Sequence, residues 1–177
     1  MLVRKAQGFA LIDLIFVCGI IGLLASIALP RLLSAQQTAG AASAIGTMRA
    51  INSAQLTFAL TCGNGFYAPD LPTLGTPPPG SREPFIASGL STAATIDKAG
   101  YVIQMTASPF AGSPPSCNGL AAGASGQGFV AGADPNHIPT NQRFFATNAN
   151  NVIYEHTASL YMMMPEIGTP PAGAPIR

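Results

Sequence analysis

The chain has 177 residues, of which 48% are apolar and only 8% charged, and its formal charge is +1. That length holds one modest domain, and the charged fraction lies far below the roughly 25% usual for soluble proteins. A near-neutral balance with no basic run excludes a nucleic-acid surface built on charge and suits a protein that packs against copies of itself.

The first eight residues, MLVRKAQG, form a short polar leader carrying Arg4 and Lys5. From Phe9 to Leu29 the chain is apolar with one charge, Asp13. A helix of that length spans roughly 30 Å, the thickness of a bilayer's hydrocarbon core. Basic residues ahead of it predict a cytoplasmic N-terminus and an exported body. Cys18, inside the span, reads as a small apolar residue. Asp13 is harder to place, because a carboxylate among Leu, Ile, Phe and Val costs about 3 kcal/mol on insertion scales. An acid there asks for a partner charge. Cutting the chain between Gly8 and Phe9 creates one, an α-amino group one helical turn from Asp13.

Leader, Gly8–Phe9 junction, acid at Asp13, apolar span and Pro30 together resemble the N-terminus of type IV pilins and type II secretion pseudopilins. The resemblance implies that a prepilin peptidase cuts after Gly8 and methylates the Phe9 amine. It also implies that Asp13 pairs with the Phe9 amine of a neighbouring subunit during assembly, with Phe9, Asp13 and Pro30 as the assembly residues. One departure stands out: the family nearly always has Glu where this chain has Asp13, which keeps the charge but shortens its reach. Loss of the leader leaves 6 basic residues against 7 acidic, a formal charge of −1.

Past Pro30 the helical pattern resumes. Ala41, Ile45, Met48, Ile51, Ala54 and Phe58 recur at steps of three or four, while Gln37, Ser43, Thr47, Arg49, Asn52 and Gln55 form the opposite, polar face. One long helix is expected over about Phe9 to Leu60, kinked or loosened near Pro30, weakened by Gly40 and Gly46, and stopped by Cys62-Gly-Asn-Gly65. The predicted organisation is a leader at 1–8, a transmembrane half-helix at 9–29 and an amphipathic half at 30–61. A loop-rich body with an antiparallel sheet follows at 62–161, then an extended Pro-rich tail at 162–177.

Within the body, TPPPGSREP at 76–84 must be a loop, and a short helix is expected around Leu90 to Ile96. Strand-like runs follow at Gly100–Thr106, Gln127–Ala133, Gln142–Thr147 and Asn150–His156. Their short spacings demand antiparallel neighbours, and the Asn-rich turn favours a hairpin between the last two. The order Gly100-Tyr101, Phe129 through Ala133-Asp134-Pro135, Arg143-Phe144-Phe145 and Val152-Ile153-Tyr154 is similar to the globular regions of small major pilins and protein-G-like pseudopilins. That similarity implies an α+β, pilin-like fold, a long N-terminal helix packed on a small antiparallel sheet. The Asp-rich calcium loop of many secretion pseudopilins has no counterpart here.

Cys62 and Cys117 lie outside the span, and an exported body enters an oxidising compartment, so the two are disulfide candidates. Such a bridge would staple the 107–126 linker. Asp134-Pro-Asn-His137 suits a metal or simply a turn, and Met162–Met164 suits a soft metal or, preferably, a hydrophobic end packed on the sheet. His137 and His156 belong to no catalytic constellation, and Gly123–Gly128 lacks the context of a phosphate loop. No catalytic residue, cofactor or metal is therefore expected. The leading functional reading is a structural subunit of a type IV pilus or secretion pseudopilus. Its partners would be like subunits or other pilins, the prepilin peptidase and the inner-membrane assembly machinery. It would sit as a single-pass inner-membrane protein with a periplasmic body before entering the filament. The alternative is an exported single-span anchored protein with a binding role, which leaves Asp13 unexplained.

Overall fold

The computed structural model describes residues 11–136 and 143–176. The chain divides into two compact units at Ala39/Gly40. A single helix, α1 (Leu11–Thr61), supplies all that is described of the first unit and opens the second. It passes through Pro30 without interruption. Proline removes one backbone bond there, yet good helix formers on both sides hold the helical conformation. Ser26 and Thr38 return their hydroxyls to the helix, donating to the carbonyls of Leu23 and Ser34 at 2.8 and 2.9 Å, so neither is left unpaired in an apolar setting.

In the second unit α1 lies on an antiparallel sheet. Ala41, Ala44, Met48, Ile51, Ala54 and Phe58 are buried along one stripe, the 3.6-residue period doing what it must on a half-covered helix. The expected polar face is only half outward. Thr47, Asn52 and Gln55 are buried. Thr47 donates its hydroxyl to the Ser43 carbonyl one turn back, whereas the partners of Asn52 and Gln55 come from beyond the helix. Asn52 Nδ2 donates to Thr147 Oγ1 at 2.9 Å. Gln55 closes a two-way amide pair with Ala68, donating to its carbonyl and accepting from its N–H, each at 2.9 Å. The helix ends at Thr61, with Asn64 and Gly65 at φ +52° and +90° and Gly65 N–H donating to Ala59 O, a left-handed exit of the kind that closes helices.

The sheet is a six-stranded meander in chain order: β1 (Thr95–Lys98), β2 (Tyr101–Thr106), β3 (Val130–Pro135), β4 (Phe144–Asn148), β5 (Ile153–His156) and β6 (Ala174–Pro175). Every neighbouring pair is antiparallel. The α+β class with a long N-terminal helix and an antiparallel sheet is therefore what the chain adopts. Ile96, Ile103, Ala133 and Phe145 fall in one register row and join the helix stripe in the main core. A one-residue turn to the other face finds Val130, Ala146 and Tyr154 in a second core with Leu160 and Met164.

Several expectations are corrected. No helix forms at 90–96: a short 3₁₀ helix, α2 being the separate turn Leu71–Leu74, covers Ser88–Leu90, and Thr95–Lys98 is a strand. Pairing decides it, since Ala99 and Gly100, at φ +51° and +82°, turn the chain so that Lys98 faces Tyr101, the two-residue hairpin that matches strand twist. The Pro-rich end is also no free tail. Asn148 Nδ2 donates to Pro165 O and Gly168 O at 2.8 and 2.7 Å, Ala149 N–H donates to Glu166 O, and β6 pairs with β5. Prolines cannot donate, but their carbonyls still accept, so this segment straps the outer face of the sheet. Tyr161 lies against Gly132, where a Cβ would come within 2.8 Å of it. Asp134 and Pro135 complete β3 and are not a turn, and β3 and β5 begin three residues later than expected.

Candidate functional site

The first unit carries the features that set this chain apart. From Ile12 to Ala39 every side chain but half-buried Ala25 is exposed, including Ile12, Phe16, Leu23 and Leu24 at 64–73%. Helix α1 is long and apolar enough to cross a membrane, so it fits a membrane anchor near the N-terminus. Asp13 stands in the first turn of the described helix, exposed among Ile12, Leu14 and Phe16. Pro30 sits in the same helix, about 25 Å farther along at 1.5 Å per residue, and so does the free Cys18. Gly8 and Phe9, the processing residues, lie outside the described residues, as does His137.

Cys62 and Cys117 are joined by a disulfide that ties the end of α1 to the 107–126 linker. It does not hold that linker alone. Cys117 N–H donates to Cys62 O, Phe110 N–H to Ser125 O and Gly123 N–H to Ser113 O, and Tyr67 and Gly126 exchange backbone bonds across a β-bridge.

The charged chemistry of the second unit gathers on Arg143, which sequence reasoning passed over as part of a strand. Its Nε and Nη2 donate to the two carboxylate oxygens of Glu155, the second at 2.7 Å. Its guanidinium also stands 5.2 Å from the centre of the Phe145 ring. Arg143 holds the Glu155 carboxyl below the usual carboxylate range and is itself pushed up by the same bond. Burial raises the Tyr101 phenol nearby. Asp134 is raised by burial, against the pull of the Ser159 hydroxyl that donates to its Oδ2 at 2.6 Å. An open groove of about 580 Å³ between α1 and β5 is lined by Arg49, Ser53, Leu56, Asn151, Ile153 and Ile176 among others, with no acid, His or Cys in its wall. Among the described residues no three His, Cys, Asp or Glu side chains gather as metal ligands, and His156 ends β5.

The fold therefore brings Cys62 to Cys117 and leaves Asp13 and Pro30 apart on one helix. It offers a long apolar stem and a tightly pinned sheet. Comparison of the chain with protein-family models, with curated proteins and with solved structures finds no match.

Proposed function

We propose that this chain is a structural, non-enzymatic subunit of the pilin or pseudopilin kind, cut after Gly8, methylated on Phe9 and assembled through its N-terminal helix into a type IV pilus or secretion pseudopilus. The observation that carries the reading is the continuity of α1. One helix runs from an exposed apolar span with a lone acid into the amphipathic stretch that lies on the antiparallel sheet. An exposed stem of this apolarity needs lipid or other apolar stems around it. Lipid alone gives Asp13 no partner. A bundle of such stems does, because the Phe9 amine of a neighbour supplies the complementary charge, and the pair sets the register in which subunits dock. The partners are then like subunits or other pilins, the prepilin peptidase and the inner-membrane assembly machinery. The subunit waits in the inner membrane with its body in the periplasm before it enters the filament.

The test substitutes Asp13. Asp13→Ala and Asp13→Asn should leave membrane insertion and cleavage after Gly8 intact and reduce the fraction of chain in sheared or cross-linked filaments about tenfold or more, the scale of one lost charge pair. Asp13→Glu should incorporate at least as well as the wild type. Normal incorporation of the Ala variant would remove the charge-pairing account and favour an anchored protein with a binding role.

A further inference from the structure

The strap over the outer face of the sheet carries three consecutive methionines in three different settings. Met162 is 86% exposed, Met163 46% and Met164 6%. Both Met163 and Met164 N–H groups donate to Leu160 O, at 3.0 and 2.8 Å, and this tight turn seats Met164 in the second core with Val130, Ala146, Tyr154 and Leu160. The remaining internal methionines, Met48 and Met105, are 0% and 3% exposed in the main core. A thioether is oxidised where a reagent can reach its sulfur, and the sulfoxide it becomes is polar.

We propose that the strap is a methionine-oxidation site for peroxides, in which Met162 and Met163 react with the strap closed and Met164 is a latch whose oxidation holds it open. In each reaction a sulfur lone pair attacks one peroxide oxygen and the O–O bond breaks. Sulfur loses two electrons, hydrogen peroxide gains them, and the proton on the transferred oxygen passes to the departing hydroxide, so the products are a sulfoxide and water. Met162 and Met163 take the oxygen without moving. Met164 reacts only when the strap lifts, and its sulfoxide returns among Val130, Ala146, Tyr154 and Leu160 only by forcing a larger, polar group into the space of a packed thioether. Among the strap's other ties, the bonds from Asn148 to Pro165 O and Gly168 O, from Ala149 N–H to Glu166 O, and from Ser108 N–H to Glu166 Oε1 are polar, and water can replace them once the apolar seat is lost.

The experiment treats the full chain in detergent micelles with hydrogen peroxide and follows each methionine by peptide mass mapping, with hydrogen exchange read over residues 157–176. Met162 and Met163 should oxidise first, with Met164 about tenfold or more slower because it waits on local opening, and with Met48 and Met105 still reduced. Exchange in the strap should rise with the Met164 sulfoxide and not with the other two. In Met164→Leu, a swap that cores tolerate, the strap should stay protected while Met162 and Met163 are fully oxidised. Three results would overturn the proposal: Met164 oxidising in step with Met162, Met164 oxidising only together with Met48 and Met105, or strap exchange rising equally in Met164→Leu.

Discussion

Gly40 shows how a single residue fixes where the helix meets the sheet. Glycine in a helix costs up to about 1 kcal/mol relative to alanine, and both Gly40 and Gly46 look like weak points in the sequence. The structure separates them. A Cβ on Gly40 would stand 2.8 Å from the Ala99 carbonyl oxygen and 3.5 Å from the Tyr101 ring, whereas one on Gly46 meets nothing within 4 Å. Gly40→Ala should therefore destabilise the chain by about 1–2 kcal/mol despite its helical gain, and Gly46→Ala should stabilise it by up to about 1 kcal/mol. Thermal unfolding of the full chain in detergent checks both signs, and equal effects would mean that Gly40 is not a contact point. The Arg143–Glu155 pair makes a second prediction at this scale. The folded state lowers the Glu155 carboxyl, so its stabilisation is present above the unfolded carboxyl's range and is lost as pH falls through the folded one. The two side chains are 44% and 31% exposed, which limits the pair to about 0.5 kcal/mol. Wild type should exceed Glu155→Gln by that margin at neutral pH, and the gap should close in acid. A gap that persists in acid would assign the effect to packing.

At the scale of elements, legibility followed how local the deciding contact is. The Tyr101–Thr106 strand was readable because β-formers fill it and turn residues bound it. The Thr95–Lys98 strand was not, because it has one buried residue, Ile96, and owes its conformation to the hairpin with β2. Asn52 and Gln55 read as surface residues because their partners lie 95 and 13 positions away, beyond any periodicity. The strap was hidden by composition: prolines advertise an extended chain, but not that Asn148 will hold their carbonyls. The Cys62–Cys117 bridge was anticipated from compartment chemistry and lies where the 107–126 linker returns to the end of α1. Closing a loop of this separation, 55 residues, is worth up to about 4 kcal/mol in the chain-entropy model. Cys62→Ser with Cys117→Ser should lower stability by about 2–4 kcal/mol. Non-reducing peptide maps should recover the two cysteine peptides as one. Full alkylation of both thiols without reductant would show that the bridge does not form.

At the scale of the whole molecule, the chain joins an apolar span that no described residue of its own unit covers to a body whose sheet is covered on both faces. The main core lies under the helix, and the second lies under the strap. A body so closed has little need of partners for its own stability. The exposed span needs lipid or other apolar surfaces around it, and under the proposed function its lone acid gives that need a chemical direction. The junction on which the functional reading turns, Gly8–Phe9, lies outside the described residues, so it is best tested by chemistry. The intact mass of the mature protein is the most direct measurement. The account predicts a chain that begins at Phe9, lacks residues 1–8 and carries one added methyl group on its α-amine. A chain that begins at Met1, or near residue 35 after ordinary signal cleavage, would contradict it.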